Sequence, residues 1–144
     1  MKIEFFDVYA AEHVGPERSW LFLFELLQER DPVANISHRQ MPTFEQHCAF
    51  VESKPYKAWY VIVASDSDPV GAIYLTKNNE IGIFISKAYQ GQHIGKIAIR
   101  LLMEMHPADH YLANIAPGNA RSISLFEKLG FDLIQLTMRK DIKP

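Results

Sequence analysis

The stretch Tyr89-Gln90-Gly91-Gln92-His93-Ile94-Gly95-Lys96 decides how this chain reads. It lies between an apolar, β-type run, Ile81-Gly82-Ile83-Phe84-Ile85, and a helical run from Ile94 to His106. A strand that feeds a short glycine-containing loop, which in turn opens a helix, makes an anion site. The first backbone N–H groups of the helix have no intrahelical acceptor, and the positive end of the helix dipole points the same way. The expected anion is a phosphate or pyrophosphate. The P-loop spacing G-x-x-x-x-G-K-[ST] is absent, and so is the dinucleotide fingerprint G-x-G-x-x-G.

Outward from this loop the chain punctuates itself clearly. Ile3 to Val8 reads as a strand and Arg18 to Arg30 as a helix, with Trp20, Leu23, Phe24 and Leu27 on one face. A polar, non-periodic stretch from Asn35 to Pro42 follows. Thr43 opens a second helix, where Gln46 completes a capping-box pattern and Phe44, His47, Cys48 and Val51 share a face. Trp59 to Ala64, Val70 to Thr76 and Glu80 to Ile85 read as a three-strand meander with turn residues between them. After the helix from Ile94, Tyr111 to Ile115 reads as a short strand, Ala120 to Leu129 as a helix stopped by Gly130, and Phe131 to Arg139 as a final, alternating strand.

The predicted order β-α-α-β-β-β-α-β-α-β implies an α/β (α+β) fold. It has a mixed, mostly antiparallel central sheet flanked by helices, with a crevice where one strand splays from its parallel neighbour. A chain of 144 residues with 48% apolar composition fits one domain, 1–144, with a proper core. The net charge of −2 provides no global basic field, so nucleic acid is not an expected partner. The apolar run from Trp20 to Phe24 is far too short to span a bilayer, and Met1-Lys2-Ile3-Glu4 lacks the apolar core of a signal peptide. With Cys48 alone, no internal disulfide forms. The expected location is cytoplasmic, with neither membrane nor metal involved.

The loop resembles motif A of the GNAT acyl-CoA-dependent N-acetyltransferases, [Q/R]-x-x-G-x-[G/A], here Gln90-Gly91-Gln92-His93-Ile94-Gly95. Asn119-Ala120-Arg121-Ser122 and then Phe126-Glu127-Lys128-Leu129-Gly130-Phe131 resemble that family's N-x-x-S…[Y/F]-x-K-x-G-F signature, and the element order agrees. The resemblance implies acetyl-CoA as co-substrate and a small-molecule or peptide amine as acceptor. The family often dimerises through sheet edges, so a homodimer is a further expectation. It places the pantetheine arm against Ile83, Phe84 and Ile85. The pyrophosphate falls on Gln90, Gly91, Gln92, His93, Ile94, Gly95 and Lys96, with Asn119 and Ser122 beside it. Glu80, at the start of the central strand, takes the place of a general base.

Two positions depart from the family pattern. His93 stands where glycine is usual, either as a surface residue at a helix start or as an added phosphate contact when protonated. Phe126 stands where many members have a tyrosine that protonates the leaving thiolate; water, Tyr89 or Tyr111 would have to take over. Glu80 also reads as an ordinary charged residue after the Asn78-Asn79 turn, Asn119 as a plain N-cap, and Ser122 as its capping partner. In the Ser37-His38-Arg39-Gln40-Met41 segment, His38 and Arg39 are candidate acceptor contacts, or merely solvated loop residues. Thr43-Phe44-Glu45-Gln46-His47 is similar to a segment of the branch acting on amino-sugar nucleotides and ribosomal-protein N-termini, but the W-R-N pattern of that branch is missing. A non-catalytic acyl-CoA-binding domain of the same fold is the alternative reading.

Overall fold

β-Branched and aromatic residues closed off by turns build the centre of the molecule, as the sequence predicts. In the computed structural model, which describes residues 2–10, 19–29, 41–64 and 68–142, the strands β1 (Ile3–Asp7), β2 (Ala58–Ala64), β3 (Pro69–Leu75) and β4 (Ile81–Ile85) form one sheet in sequence order. Every neighbour in it is antiparallel. Helices α1 (Ser19–Glu29) and α2 (Phe44–Glu52) precede β2; α3 (Ile94–Met105) and α4 (Ala120–Lys128) follow β4.

Alternation along the strands divides the interior into two layers. Ala58, Ile62, Ile73, Leu75 and Ile81 join Ile94, Ala98, Ile99 and Leu102 of α3 and Phe126 of α4 on one face. Trp59, Val61, Val63 and Ala72 join Trp20, Leu23 and Leu26 of α1 and Val51 of α2 on the other. The buried stripe of α1 runs through Leu26 rather than the expected Leu27, because Phe24 turns toward α2 and packs edge-on against Phe44. Helix α2 carries the predicted capping box: Thr43 Oγ1 accepts from the Gln46 N–H, and Gln46 Oε1 accepts from the Thr43 N–H.

Two predicted strands take a different form. Residues 111–115 touch the sheet only through a parallel bridge between Leu112 and Glu80. The Ile81 N–H donates to the Leu112 carbonyl at 2.8 Å and the Leu112 N–H to the Asn79 carbonyl at 2.9 Å. The mixed character of the sheet is confined to that point. Residues 131–142 form no strand at all, although their apolar alternation is present. Periodicity marks a half-buried strand, but a strand exists only where a neighbour satisfies its backbone, and among the described residues none does. Leu133, Ile134, Leu136, Met138 and Ile142 are 77–93% exposed as a result.

The end of α4 fixes where this tail departs. The Phe131 N–H donates to the Phe126 carbonyl and the Gly130 N–H to the Glu127 carbonyl, both at 3.0 Å, a Schellman motif. Gly130 has φ +93°, where a side chain would be strained, and the Phe131 ring meets Phe126 edge-on at 5.0 Å. Among the described residues, no helix is long and apolar enough to cross a membrane.

Two histidines tie stability to pH. His47 is 3% exposed, with Nε2 2.9 Å from the Trp20 carbonyl, and burial pushes its pKa below the ordinary value despite that contact. His106, with Nε2 2.8 Å from the Tyr60 hydroxyl, is pushed down by burial and then by Lys57, with Asp7 opposing. A histidine whose folded pKa is depressed takes up its proton more readily when unfolded, so it stabilises the fold above its unfolded pKa, about 6.5. Unfolding free energy measured with urea should therefore hold near neutral pH and fall as pH drops below about 6.5. His47→Gln, which keeps a donor for Trp20, should flatten part of that fall; an unchanged profile would remove His47 as a cause.

Candidate functional site

The hydrogen-bond alternation of β4 determines which of its groups remain available. The Thr76 N–H bonds the Glu80 carbonyl at 2.9 Å, and the Ser86 N–H bonds the Val70 carbonyl at 2.8 Å. With the antiparallel register Tyr74↔Gly82 and Ala72↔Phe84 between them, Gly82 and Phe84 turn their backbone groups toward β3. Ile81, Ile83 and Ile85 turn theirs to the outer edge. Ile81 meets Leu112 there, and beyond that pair no backbone hydrogen bond among the described residues joins Ile83 or Ile85 to residues 113–116. Among the described residues the edge carries no backbone hydrogen bond from Ile83 onward, though the Ile85 carbonyl is taken by the Gln90 side chain, and it leads to the loop. Gly82 admits Tyr74 over the strand: a Cβ there would lie 2.0 Å from the Tyr74 ring.

The loop continues as a 3-10 turn, Lys87–Tyr89, and then Gly91 and His93 at positive φ, +84° and +64°. His93 is the N-cap of α3 in the left-handed conformation, without a side-chain capping bond. Here lies the physical reason for glycine at this position in the motif: the turn into α3 needs a left-handed residue. The N–H groups of Ile94, Gly95 and Lys96 have no acceptor one turn earlier in the helix. The Ile94 side chain is buried in the core, and Gly95 faces α4, where a Cβ would meet Leu125 Cδ2 at 3.0 Å. Gln92 and His93 are exposed, and Lys96 is half-buried.

Polar side chains from distant elements hold this loop, and of these sequence reading did not single out Glu29. Glu29, at the end of α1, accepts from the Ser86 hydroxyl with both carboxylate oxygens at 3.1 Å and from the Lys87 N–H at 2.9 Å. The Gln90 amide donates to the Ile85 carbonyl at 3.0 Å, and its Oε1 accepts from Arg121 of α4. The side chain of Gln90 thus braces the loop from within. No local periodicity pairs Glu29 with residues 57 and 58 positions away; only the fold does.

Helix α4 begins at Asn119, whose Oδ1 accepts from the Ser122 N–H at 3.3 Å, so both residues act as the predicted cap. Phe126 is 4% exposed and belongs to the core. The Tyr111 hydroxyl is fully engaged, with carbonyl oxygens of Met103 and His106 at 3.1 and 2.6 Å, and so caps the end of α3. The Tyr89 hydroxyl donates to Asp68 at 3.4 Å.

Glu80, half-buried, sits where β4 and residues 111–115 part. Its Oε1 accepts from the Thr76 hydroxyl at 3.1 Å, and its Oε2 accepts from the Asn114 amide. Glu80 and Phe84 lie on the α1–α2 face of β4, with Phe84 packed in that layer, while Ile83 and Ile85 pack toward α3 and α4. His38 and Arg39 lie outside the described residues. Among the described residues, no group of three or more His, Cys, Asp or Glu is placed to hold a metal.

A non-glycine residue in the left-handed region is disfavoured by about 1–2 kcal/mol, while the greater unfolded freedom of glycine offsets about 0.5–1 kcal/mol. His93→Gly should therefore raise unfolding stability by about 0.5–1 kcal/mol, whereas His93→Ala should not. Denaturant titration of the three proteins checks this; a loss on His93→Gly would mean that the imidazole makes a stabilising contact.

The sequence profile of the acetyltransferase (GNAT) family matches residues 20–131. Peptidyl-lysine N-acetyltransferase YjaB of Salmonella typhimurium is 27% identical over 77 residues, 54% of this chain, and the match spans about half of that relative, 52%. A domain from Methanocaldococcus jannaschii superposes with TM-score 0.71 at 23% identity, over 91% of this chain and 88% of that one. Spermidine N-acetyltransferase from Vibrio cholerae, in complex with CoA and spermine, superposes with TM-score 0.65 at 14% identity, over 89% and 79%. At these identities the superpositions show a common fold. The profile, which covers most of the sequence, shows that this chain belongs to the GNAT family of acetyltransferases.

Proposed function

We propose that the chain moves an acetyl group from acetyl-CoA to a primary amine by direct attack. The observation that carries this reading is the outer β4 edge, where among the described residues neither the Ile83 backbone groups nor the Ile85 N–H makes a backbone hydrogen bond, followed by the N–H groups that begin α3 without an acceptor one turn earlier. An extended pantetheine arm, with its amides, suits a strand edge, and a pyrophosphate suits a helix N-terminus. The edge at Ile83 and Ile85 would orient the thioester and polarise its carbonyl, and the N–H groups of Gln92 to Lys96 would hold the pyrophosphate. Asn119 and Ser122 lie on the neighbouring helix start.

The amine must be neutral to attack, and an alkylammonium is mostly protonated at neutral pH. Glu80, fixed by Thr76 and Asn114 at the mouth of the crevice, would accept that proton through water. The amine nitrogen bonds to the acetyl carbon, the carbon–sulfur bond breaks, and the electron pair leaves on the CoA sulfur. Phe126 has no proton to give and the Tyr111 hydroxyl is committed to α3, so water protonates the thiolate, a good leaving group with a pKa near 8.5. Binding both substrates together supplies the proximity.

The acceptor is an amine of a small molecule, amino sugar or peptide, with His38 and Arg39 as its candidate contacts. The named relatives act on peptidyl-lysine and on spermidine, both primary amines. Phe126 in the core also fits the alternative, a domain that binds acyl-CoA without turnover.

Glu80→Gln should lower acetyl transfer tenfold or more, most strongly at lower pH, with acetyl-CoA affinity unchanged. Thiol release against a panel of amines, amino sugars and peptides, with calorimetric titration of acetyl-CoA, measures both. Equal turnover across the pH range would remove Glu80 from the mechanism. Micromolar binding with no turnover on any acceptor would favour the non-catalytic reading, and no binding at all would sink both.

A further inference from the structure

Tyr74 of β3 stands directly opposite Gly82 of β4 in the antiparallel register. It packs in the α1–α2 layer, and Thr76, two residues on and so on the same face, holds the Glu80 carboxylate. A Cβ at Gly82 would lie 2.0 Å from Tyr74 Cζ and 2.3 Å from both Cε2 and the hydroxyl oxygen. The ring therefore crosses from β3 onto β4, and its hydroxyl end rests on the one residue of that strand without a side chain.

A row of aromatic rings holds it there. Tyr56 stacks on Tyr74 at 3.9 Å and 4°, and meets Trp59 and Phe50 edge-on at 4.8 and 5.9 Å. Trp59 is buried in the core, and the Tyr56 N–H donates to the Tyr9 hydroxyl at 3.2 Å. Ring packing thus fixes where the Tyr74 oxygen sits. That oxygen has two lone pairs, so it can accept from a further N–H whatever its own proton is bonded to. Glu80 and Phe84 flank Gly82 on this face, with the Glu80 carboxylate held by Thr76 and Asn114. Ile83, next in the chain, turns its backbone groups to the outer edge. A carboxylate and a phenol oxygen stand on one face of the strand, beside the outer groups assigned to the thioester.

We infer that Tyr74 contacts the acceptor nitrogen and selects primary amines, an assignment that rests on the proposed acetyl transfer. A neutral primary amine carries two N–H groups. During attack one proton leaves through water to Glu80. The other stays on nitrogen, is donated to the Tyr74 oxygen, and remains as the amide N–H of the product. The nitrogen bonds to the acetyl carbon, the carbon–sulfur bond breaks and its electron pair leaves on sulfur, so Tyr74 gains and loses no proton. Nitrogen is cationic between attack and deprotonation, and a hydrogen bond from a cationic donor is the stronger kind. The contact therefore favours the transition state over the bound substrate and acts on kcat. A secondary amine has a single N–H, which the path to Glu80 uses, and leaves the phenol oxygen unmatched.

Acetyl transfer is measured to a lysine peptide, glucosamine and butylamine, each beside its N-methyl counterpart. Tyr74→Phe keeps the ring, its stack on Tyr56 and its seat on Gly82. It should lower kcat on the primary amine about tenfold or more, with the acetyl-CoA affinity from calorimetry unchanged. On the N-methyl acceptor it should cost little, so the preference for the primary amine shrinks by the same factor. The pH dependence set by Glu80 should stay in place. A loss of equal size on both acceptors would mean a structural role and overturn the proposal, as would full turnover of the variant on the primary amine. A native protein inactive on every probe would remove the acetyl transfer itself, and this inference with it; that result is seen before any variant is made.

Discussion

One pair of hydrogen bonds sets the shape of the candidate site: the Ile81 N–H to the Leu112 carbonyl and the Leu112 N–H to the Asn79 carbonyl. They pin residues 111–115 to β4 at a single point, beside Glu80. Beyond it the two segments part, because the following backbone packs its side chains on the α3–α4 layer without closing the ladder. An unpaired strand edge is normally a liability that proteins cover. Here the uncovered part is short, flanked by half-buried side chains, and ends at the start of α3. Closing the ladder with more hydrogen bonds would stabilise the sheet and use up the outer backbone groups of Ile83.

The loop at the far end depends on polar groups drawn from distant elements. Glu29 of α1 holds Ser86 and Lys87, and Gln90 links Ile85 to Arg121 of α4. These contacts tie the chain between β4 and α3 to α1 on one side and to α4 on the other. His93 carries the left-handed turn in place of glycine. Its conformation is held by the loop around it, in a region where a side chain is disfavoured. Phe126 likewise follows from packing: it is buried beneath α4 and meets Phe131 as part of the helix stop.

Much of this was legible locally. The capping box at Thr43, the Asn119 cap and the Gly130 stop each depend on residues three to five positions apart, so the sequence contains the whole interaction. The alternation of β2, β3 and β4 assigns their faces for the same reason. The loop motif and the Asn119 to Phe131 signature placed the family before any fold was known. The remainder depended on partners far away in the chain. Nothing near Glu80 in sequence announces Asn114, and nothing near Ser86 announces Glu29.

The two terminal strands mark the boundary. Amino-acid sequence by itself determined the apolar periodicity of residues 111–115 and 131–139, because periodicity is a property of side-chain order. Only the tertiary structure decided that, among the described residues, the first makes a single bridge and the second makes none. Backbone pairing is a relation between two segments, and its geometry is set by where the rest of the fold puts each of them. The outer edge of β4 at Ile83, the braced loop and the exposed apolar tail all arise at that level.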